Sequence, residues 1–349
     1  MHNHRLLQEL IAHFNINLEG LNVYTEAASG HYAYGPVLAA FAGAKHVTAQ
    51  VSDSRFGLAK DIIEQTYKIA KAYNVTDRIK CVDTRSHLDL AKADIVTNSG
   101  HVRPIDCDLI DTLQPTAVIP LMWETWELRE SDFDLNRCRE REILVLGTNE
   151  RTPPCDMRGF IGMTGLKLLL ELGYDGGSVL VLGNSPIPGA TLVETFRRLE
   201  LNVTWVSDDS NADLRYEDLS EYFHTNGNKY SHIIIAEHRN LSILIGSDGL
   251  LDFEEIKMIN PNIHIGVMCG NIEVDGLLAS GLSFLPKLIA PHGFVSFQPS
   301  ELGPRPVLTL FAAGLKVGER MSRARLSGQT LEQAANTAIK ESPAMHFTE

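Results

Sequence analysis

The chain has 349 residues, 44% of them hydrophobic and 21% charged; that is enough apolar material for two packed cores and an ordinary globular balance. Its 44 acidic side chains outnumber 31 basic ones, for a formal charge of −13, which argues against a nucleic-acid backbone or an anionic membrane as the main partner. Five cysteines with no CxxC pair suit a reducing compartment rather than a disulfide framework. No apolar run approaches the length that spans a bilayer, and the start lacks a signal-peptide core, so the cytoplasm is the expected location.

Short β-branched runs alternate with helical patterns along the chain, the signature of parallel sheets with helices on both faces. Strands are expected at 21–27, 47–51, 79–82, 95–98, 117–121 and 143–146, with helices at 35–44 and 58–73. In the second helix Ile62, Ile63, Tyr67, Ile69 and Ala70 recur near helical spacing. A proline pair in Glu150-Arg-Thr-Pro-Pro-Cys155 interrupts the series, and 157–172 reads as a bridging helix. Strands follow at 178–182, 202–206, 232–236, 263–267 and 287–290, with a helix at 190–199. Helices at 307–321 and 331–339 end the chain; His2 and His4 are expected in a mobile start. The reading is two doubly wound, Rossmann-like α/β domains: residues 1–154, on which 305–349 is expected to pack, and residues 155–304.

The strongest local signal is Ser178-Val-Leu-Val-Leu-Gly183-Asn-Ser-Pro-Ile-Pro-Gly189-Ala, a strand, a tight loop and a helix start. Such a loop brings backbone N–H groups and a helix N-terminus to a pyrophosphate. The following strand ends at Asp208-Asp209, about 20 residues on, where an acid accepts ribose hydroxyls and favours NAD over NADP. Gly183, Asn184, Ser185, Ile187, Pro188, Gly189 and Asp208 are therefore the candidate cofactor residues. A GxGxxG pattern would want glycine at Ser185 and Pro188, so the loop is degenerate.

The order of parts from Ile95 to Met321 resembles the formate/glycerate, or D-2-hydroxyacid, dehydrogenase family. Ala93-Asp-Ile-Val-Thr-Asn-Ser-Gly-His101 is similar to the family's substrate-carboxylate loop, which implies substrate contacts at Ser99, Gly100, His101 and Arg103. Ile233-Ile-Ile-Ala-Glu-His-Arg-Asn240 resembles the strand and loop beneath the nicotinamide, implying Glu237 and His238 at the cofactor. Ile289-Ala-Pro-His292-Gly293 is similar to the element that carries the family's catalytic histidine. In Val267-Met-Cys269-Gly270, cysteine stands where the family has its substrate-binding arginine, and the only acids between Gly270 and His292 are Glu273 and Asp275. The triad is incomplete. The resemblance also implies a homodimer.

Loops at the carboxyl edges of the expected sheets carry the remaining candidates: Ser29-Gly-His31, Ser99 to Arg103, Trp123-Glu-Thr-Trp126, Asn149-Glu-Arg151, Glu237-His-Arg239 and Pro291-His292. They are expected to converge on a cleft between the domains. His292 is the candidate proton donor and acceptor, and Arg239 or Arg103 a candidate for holding a carboxylate. Glu124, flanked by two tryptophans, is a candidate acid if desolvation raises its pKa. No metal-ligand set is expected. The leading reading is an NAD-dependent oxidoreductase of small carbonyl or hydroxy metabolites. Two others stand beside it. Gly30 and Gly35, followed by a strand ending at Asp53, faintly resemble a class I methyltransferase that binds S-adenosylmethionine. The cysteine at 269 suits a non-catalytic nucleotide-binding regulator.

Overall fold

The computed structural model describes residues 2–240 and 242–347; the side chains of His2 and His4 lie outside those described. The chain divides into two compact units, Met1–Met157 with Gly303–Glu349, and Arg158–Leu302.

In the first unit, α1 (His2–Phe14) precedes β1 (Asn22–Glu26), α2 (Gly35–Phe41), β2 (His46–Gln50), α3 (Ala59–Ala72) and β3 (Ile79–Val82). Helix α3 buries Ile62, Thr66 and Ala70, one face at four-residue spacing, and Asp53 Oδ1 accepts its first N–H, from Ala59, at 2.7 Å. Then come α4 (His87–Leu90), β4 (Ile95–Val96), α5 (Cys107–Thr112), β5 (Val118–Pro120), α6 (Leu135–Glu140) and β6 (Leu144–Thr148). A short hairpin, β7 (Arg151–Thr152) and β8 (Cys155–Asp156), follows. Every residue of β6 is buried, as a parallel strand covered on both faces requires.

The second unit opens with α7 (Arg158–Glu171) and continues through β9 (Ser178–Gly183), α8 (Gly189–Arg198), β10 (Asn202–Val206), α9 (Leu219–Asn226) and β11 (Tyr230–Ala236). It closes with α10 (Phe253–Ile259), β12 (His264–Cys269), α11 (Val274–Ser280) and β13 (Ser283–Leu285). Its sheet is parallel in the order β10-β9-β11-β12-β13. The strand expected at 287–290 is absent. Instead β13 lies at Ser283–Leu285, with Phe284 in the core, and Pro286 has no N–H to continue the ladder.

The chain then returns to the first unit with α12 (Pro304–Leu326), α13 (Leu331–Glu341) and β14 (Ala344–Met345). Among the described residues the first sheet has seven strands, ordered β3-β2-β1-β4-β5-β6-β14, with only β14 antiparallel. Helix α12 lies against this sheet with no Cβ at two close approaches: one at Gly314 would meet Met122 Sδ at 2.1 Å, and one at Gly318 would meet Ile95 Cγ2 at 2.8 Å. Both units are thus doubly wound α/β structures with parallel sheets. No helix among the described residues is long and apolar enough to cross a membrane.

Candidate functional site

In a doubly wound sheet, ligands settle at the carboxyl edge where the strand order reverses. In the second unit that point lies between β9 and β11, because β10 is added on one side of β9 and β11 on the other. The loop from Gly183 to Gly189 is there. A Cβ on Gly183 would stand 2.6 Å from Gly189 Cα and 2.7 Å from the Ala236 carbonyl, and one on Gly189 would stand 2.3 Å from the Gly183 carbonyl carbon. Strand end, helix start and the neighbouring strand therefore meet backbone to backbone, an approach only glycine permits.

Asn184 holds the loop between them. Its Oδ1 accepts from the His238 N–H at 2.9 Å, its Nδ2 donates to the Ile187 carbonyl at 2.6 Å, and its own carbonyl accepts from Ala190 at 3.0 Å. Pro186 and Pro188 contribute no N–H, so the backbone donors after Gly183 in this loop are those of Asn184, Ser185, Ile187 and Gly189. The Trp205 indole donates to the Gly183 carbonyl at 2.8 Å. Beyond β10, the Asn211 N–H at 2.8 Å and then the Ser185 hydroxyl hold the Asp209 carboxyl below the usual range. Asp209, rather than Asp208, is the acid tied to the loop; Asp208 is exposed, and its carbonyl accepts from Arg215.

Glu237 does not offer itself to a ligand. It is 2% exposed; Oε2 accepts from the Tyr216 hydroxyl at 2.6 Å, and Oε1 accepts from the N–H groups of Arg239 and Asn240 at 2.8 and 3.0 Å. It is a buried clamp on the turn after β11. Cys269 is likewise buried at the end of β12, where its carbonyl accepts from the Glu237 N–H at 3.2 Å. The Arg239 side chain is exposed. His292 lies in the segment that Ser296 N–H pins to the Met268 carbonyl at 2.7 Å, over the carboxyl end of β12. His292 Nδ1 is a buried atom without a hydrogen-bond partner.

In the first unit the order reverses between β1 and β4, and the turn from Ser99 to Arg103 fills that place. Glu26 Oε2 accepts from the His101 N–H at 2.7 Å, and Gln50 Nε2 donates to the His101 carbonyl at 2.6 Å. The N–H groups of Val102 and Arg103 donate to the Ser99 carbonyl at 3.1 and 3.2 Å. Ser99 Oγ joins Thr97 and Thr25 in a buried hydroxyl chain with steps of 2.8 Å. Backbone donors expected to greet a substrate carboxylate at His101 are therefore occupied within the chain. Arg103 pairs with Asp132 at 2.7 Å and stacks on Trp123 at 4.8 Å. The acid of the S-adenosylmethionine layout, Asp53, is similarly engaged, by the Ala59 N–H.

Glu124 is engaged within the chain. It is fully buried, and it accepts from Trp126 Nε1 at 2.8 Å, from Arg151 Nε at 2.8 Å and from the Glu150 N–H at 3.1 Å. Burial, with the charges of Glu127 and Glu124 added, pushes the neighbouring Glu150 carboxyl well above the usual range. Sequence reading placed the loop from Asn149 to Arg151 at this edge but did not single out Glu150. Glu124 belongs to the first unit, and His292 and Arg239 to the second. Among the described residues, no group of three or more His, Cys, Asp or Glu could hold a metal ion.

No protein-family model matches the sequence, and no curated protein does. Solved structures similar to the chain include the D-lactate dehydrogenase of Escherichia coli, at 10% identity and a TM-score of 0.49 over 82% of this chain and 99% of that one. A 2-hydroxyacid dehydrogenase of Ketogulonicigenium vulgare Y25 is similar at 10% identity and a TM-score of 0.49, over 89% and 96%. The NAD+-bound 3-phosphoglycerate dehydrogenase of Entamoeba histolytica is similar at 11% identity and a TM-score of 0.45, over 82% and 97%. These are likenesses of layout; the two strand orders define the doubly wound fold on their own.

Proposed function

We propose that the chain is an NAD-dependent oxidoreductase acting on a small carbonyl or hydroxy metabolite, with its cofactor on the carboxyl edge of the second sheet. The observation that carries this reading is the backbone contact of Gly183 with Gly189 at the β9–β11 reversal, with Asp209 tied to Ser185 beside it. The residues fit the group: the glycine pair lets a pyrophosphate approach the backbone, Ser185, Ile187 and Gly189 offer N–H groups, and Asp209 offers a carboxylate to a ribose diol. Bound there, the nicotinamide would give or take a hydride. His292 holds the proton that balances it, on a ring whose Nδ1 has no competing partner. The Asp209 carboxylate disfavours a 2′-phosphate, so NAD is chosen over NADP.

Titration with NADH, followed through Trp205 beside Gly183, tests the cofactor half. Saturable quenching is expected, weakened about 10- to 100-fold in Asp209→Ala, the range of a charge-assisted hydrogen bond. Absence of saturation would overturn the reading. His292→Asn should leave NADH affinity unchanged while reducing turnover of a 2-oxo acid panel about 100-fold or more.

A further inference from the structure

At the amino end of the second sheet, the register of β11 and β12 sets His232 beside His264. The two imidazoles stack, with centroids 5.0 Å apart and planes 21° from parallel. His232 is 1% exposed. His264 Nδ1 is a buried atom with no hydrogen-bond partner, and His232 Nε2 makes no hydrogen bond of good geometry although the Leu172 carbonyl acts on the ring. Buried polar atoms are almost always paired, and an orphan asks for a reason.

The surroundings offer little to a positive charge. Tyr174, in the segment after α7, meets the His232 ring edge-on at 5.5 Å, and β9 brings Val179 alongside. The Ser231 hydroxyl lies 2.9 Å from His232 Nδ1. Burial first and His264 second hold the His232 imidazole below its ordinary range; the Leu172 carbonyl and the Asp175 carboxylate pull the other way without prevailing. A charged ring here would be desolvated and would face a second imidazole across a stack.

We propose that the stack of His232 on His264 is an acid-sensitive seam between β11 and β12, intact while the buried His232 ring is neutral and loosened when that ring takes a proton. The direction follows from linkage. An unfolded histidine binds a proton at about pH 6.5, whereas the buried His232 ring in the folded unit resists it. The seam's stability is therefore complete above that pH and is lost as pH falls below it.

Two measurements on the full chain test this. In a histidine NMR titration, the His232 signal, identified by its loss in His232→Gln, should titrate below pH 6.5. By calorimetry the unfolding midpoint should fall about 3–5 °C between pH 7.5 and 5.5, and the His232→Gln/His264→Gln chain should lose most of that fall. A His232 titration at or above the free-imidazole value, or an equal fall in both chains, overturns the proposal. If the double variant does not fold, His264→Gln alone decides. Its His232 signal should titrate at higher pH than in the unsubstituted chain, and an unchanged midpoint overturns the seam.

Discussion

Glu124 and Glu150 are neighbouring buried carboxyls with different partners. Glu124 receives an indole N–H, a guanidinium and a backbone N–H. Glu150, 7% exposed, faces the negative charges of Glu127 and Glu124 and stays protonated more readily. An acid raised in the folded state contributes full stability below the unfolded carboxyl range, about pH 4.3, and loses it as pH rises toward the folded value. Glu150→Gln keeps the shape and removes the ionisation. Urea unfolding at pH 5 and pH 8 should show the variant gaining on the unsubstituted chain as pH rises, by of order 1 kcal/mol at pH 8. A stability difference between the two proteins that does not change with pH would refute this. Sequence alone could see a glutamate at the carboxyl edge of a strand. It could not see which of two nearby glutamates the guanidinium would reach, because that depends on how the β7–β8 hairpin returns.

At the scale of elements, α12 shows how much packing a helix can demand. It runs for 23 residues and buries most of them, including Lys316 and Glu319. Lys316 Nζ donates to the Asn15 carbonyl at 2.7 Å and to Glu319 at 3.0 Å, while Glu319 accepts the Asn17 N–H at 3.0 Å. These bonds tie the segment after α1 to α12. Gly318 sits where the helix presses on Ile95 and Pro120. Gly318→Val should therefore destabilise the first unit by about 2–3 kcal/mol, through overpacking that a helix-propensity gain does not offset; a thermal melt that is unchanged would show the contact to be slack. The element pattern was largely legible: β9, β10 and β11 fall where β-branched runs predict them, and α3 follows its apolar spacing. β13 was displaced because a run after Pro286 looked as strand-like as the one before it. β14, two residues long, carries no periodic signal at all.

At the scale of the whole molecule, the first unit is discontinuous, formed by residues on both sides of the second. The sheet of the second unit is complete within Arg158–Leu302, whereas residues 1–157 lack α12, α13 and β14. Expressed alone, residues 158–302 should fold, with a cooperative melt by circular dichroism. Residues 1–157 alone should not, since the sheet face under α12 would be bare. A cooperative melt of residues 1–157 would contradict the division. By itself the sequence determined the alternation of strands and helices, and with it two doubly wound sheets, because periodicity and turn residues are local properties. It also marked the loop between Gly183 and Gly189, since a strand, a tight turn and a helix start are written consecutively. Tertiary structure alone decided that Asp209 reaches that loop, that Glu237 and His101 are occupied by their neighbours, and that His232 stacks on His264. Those outcomes depend on burial and on partners far away in the chain, and no local pattern encodes either one.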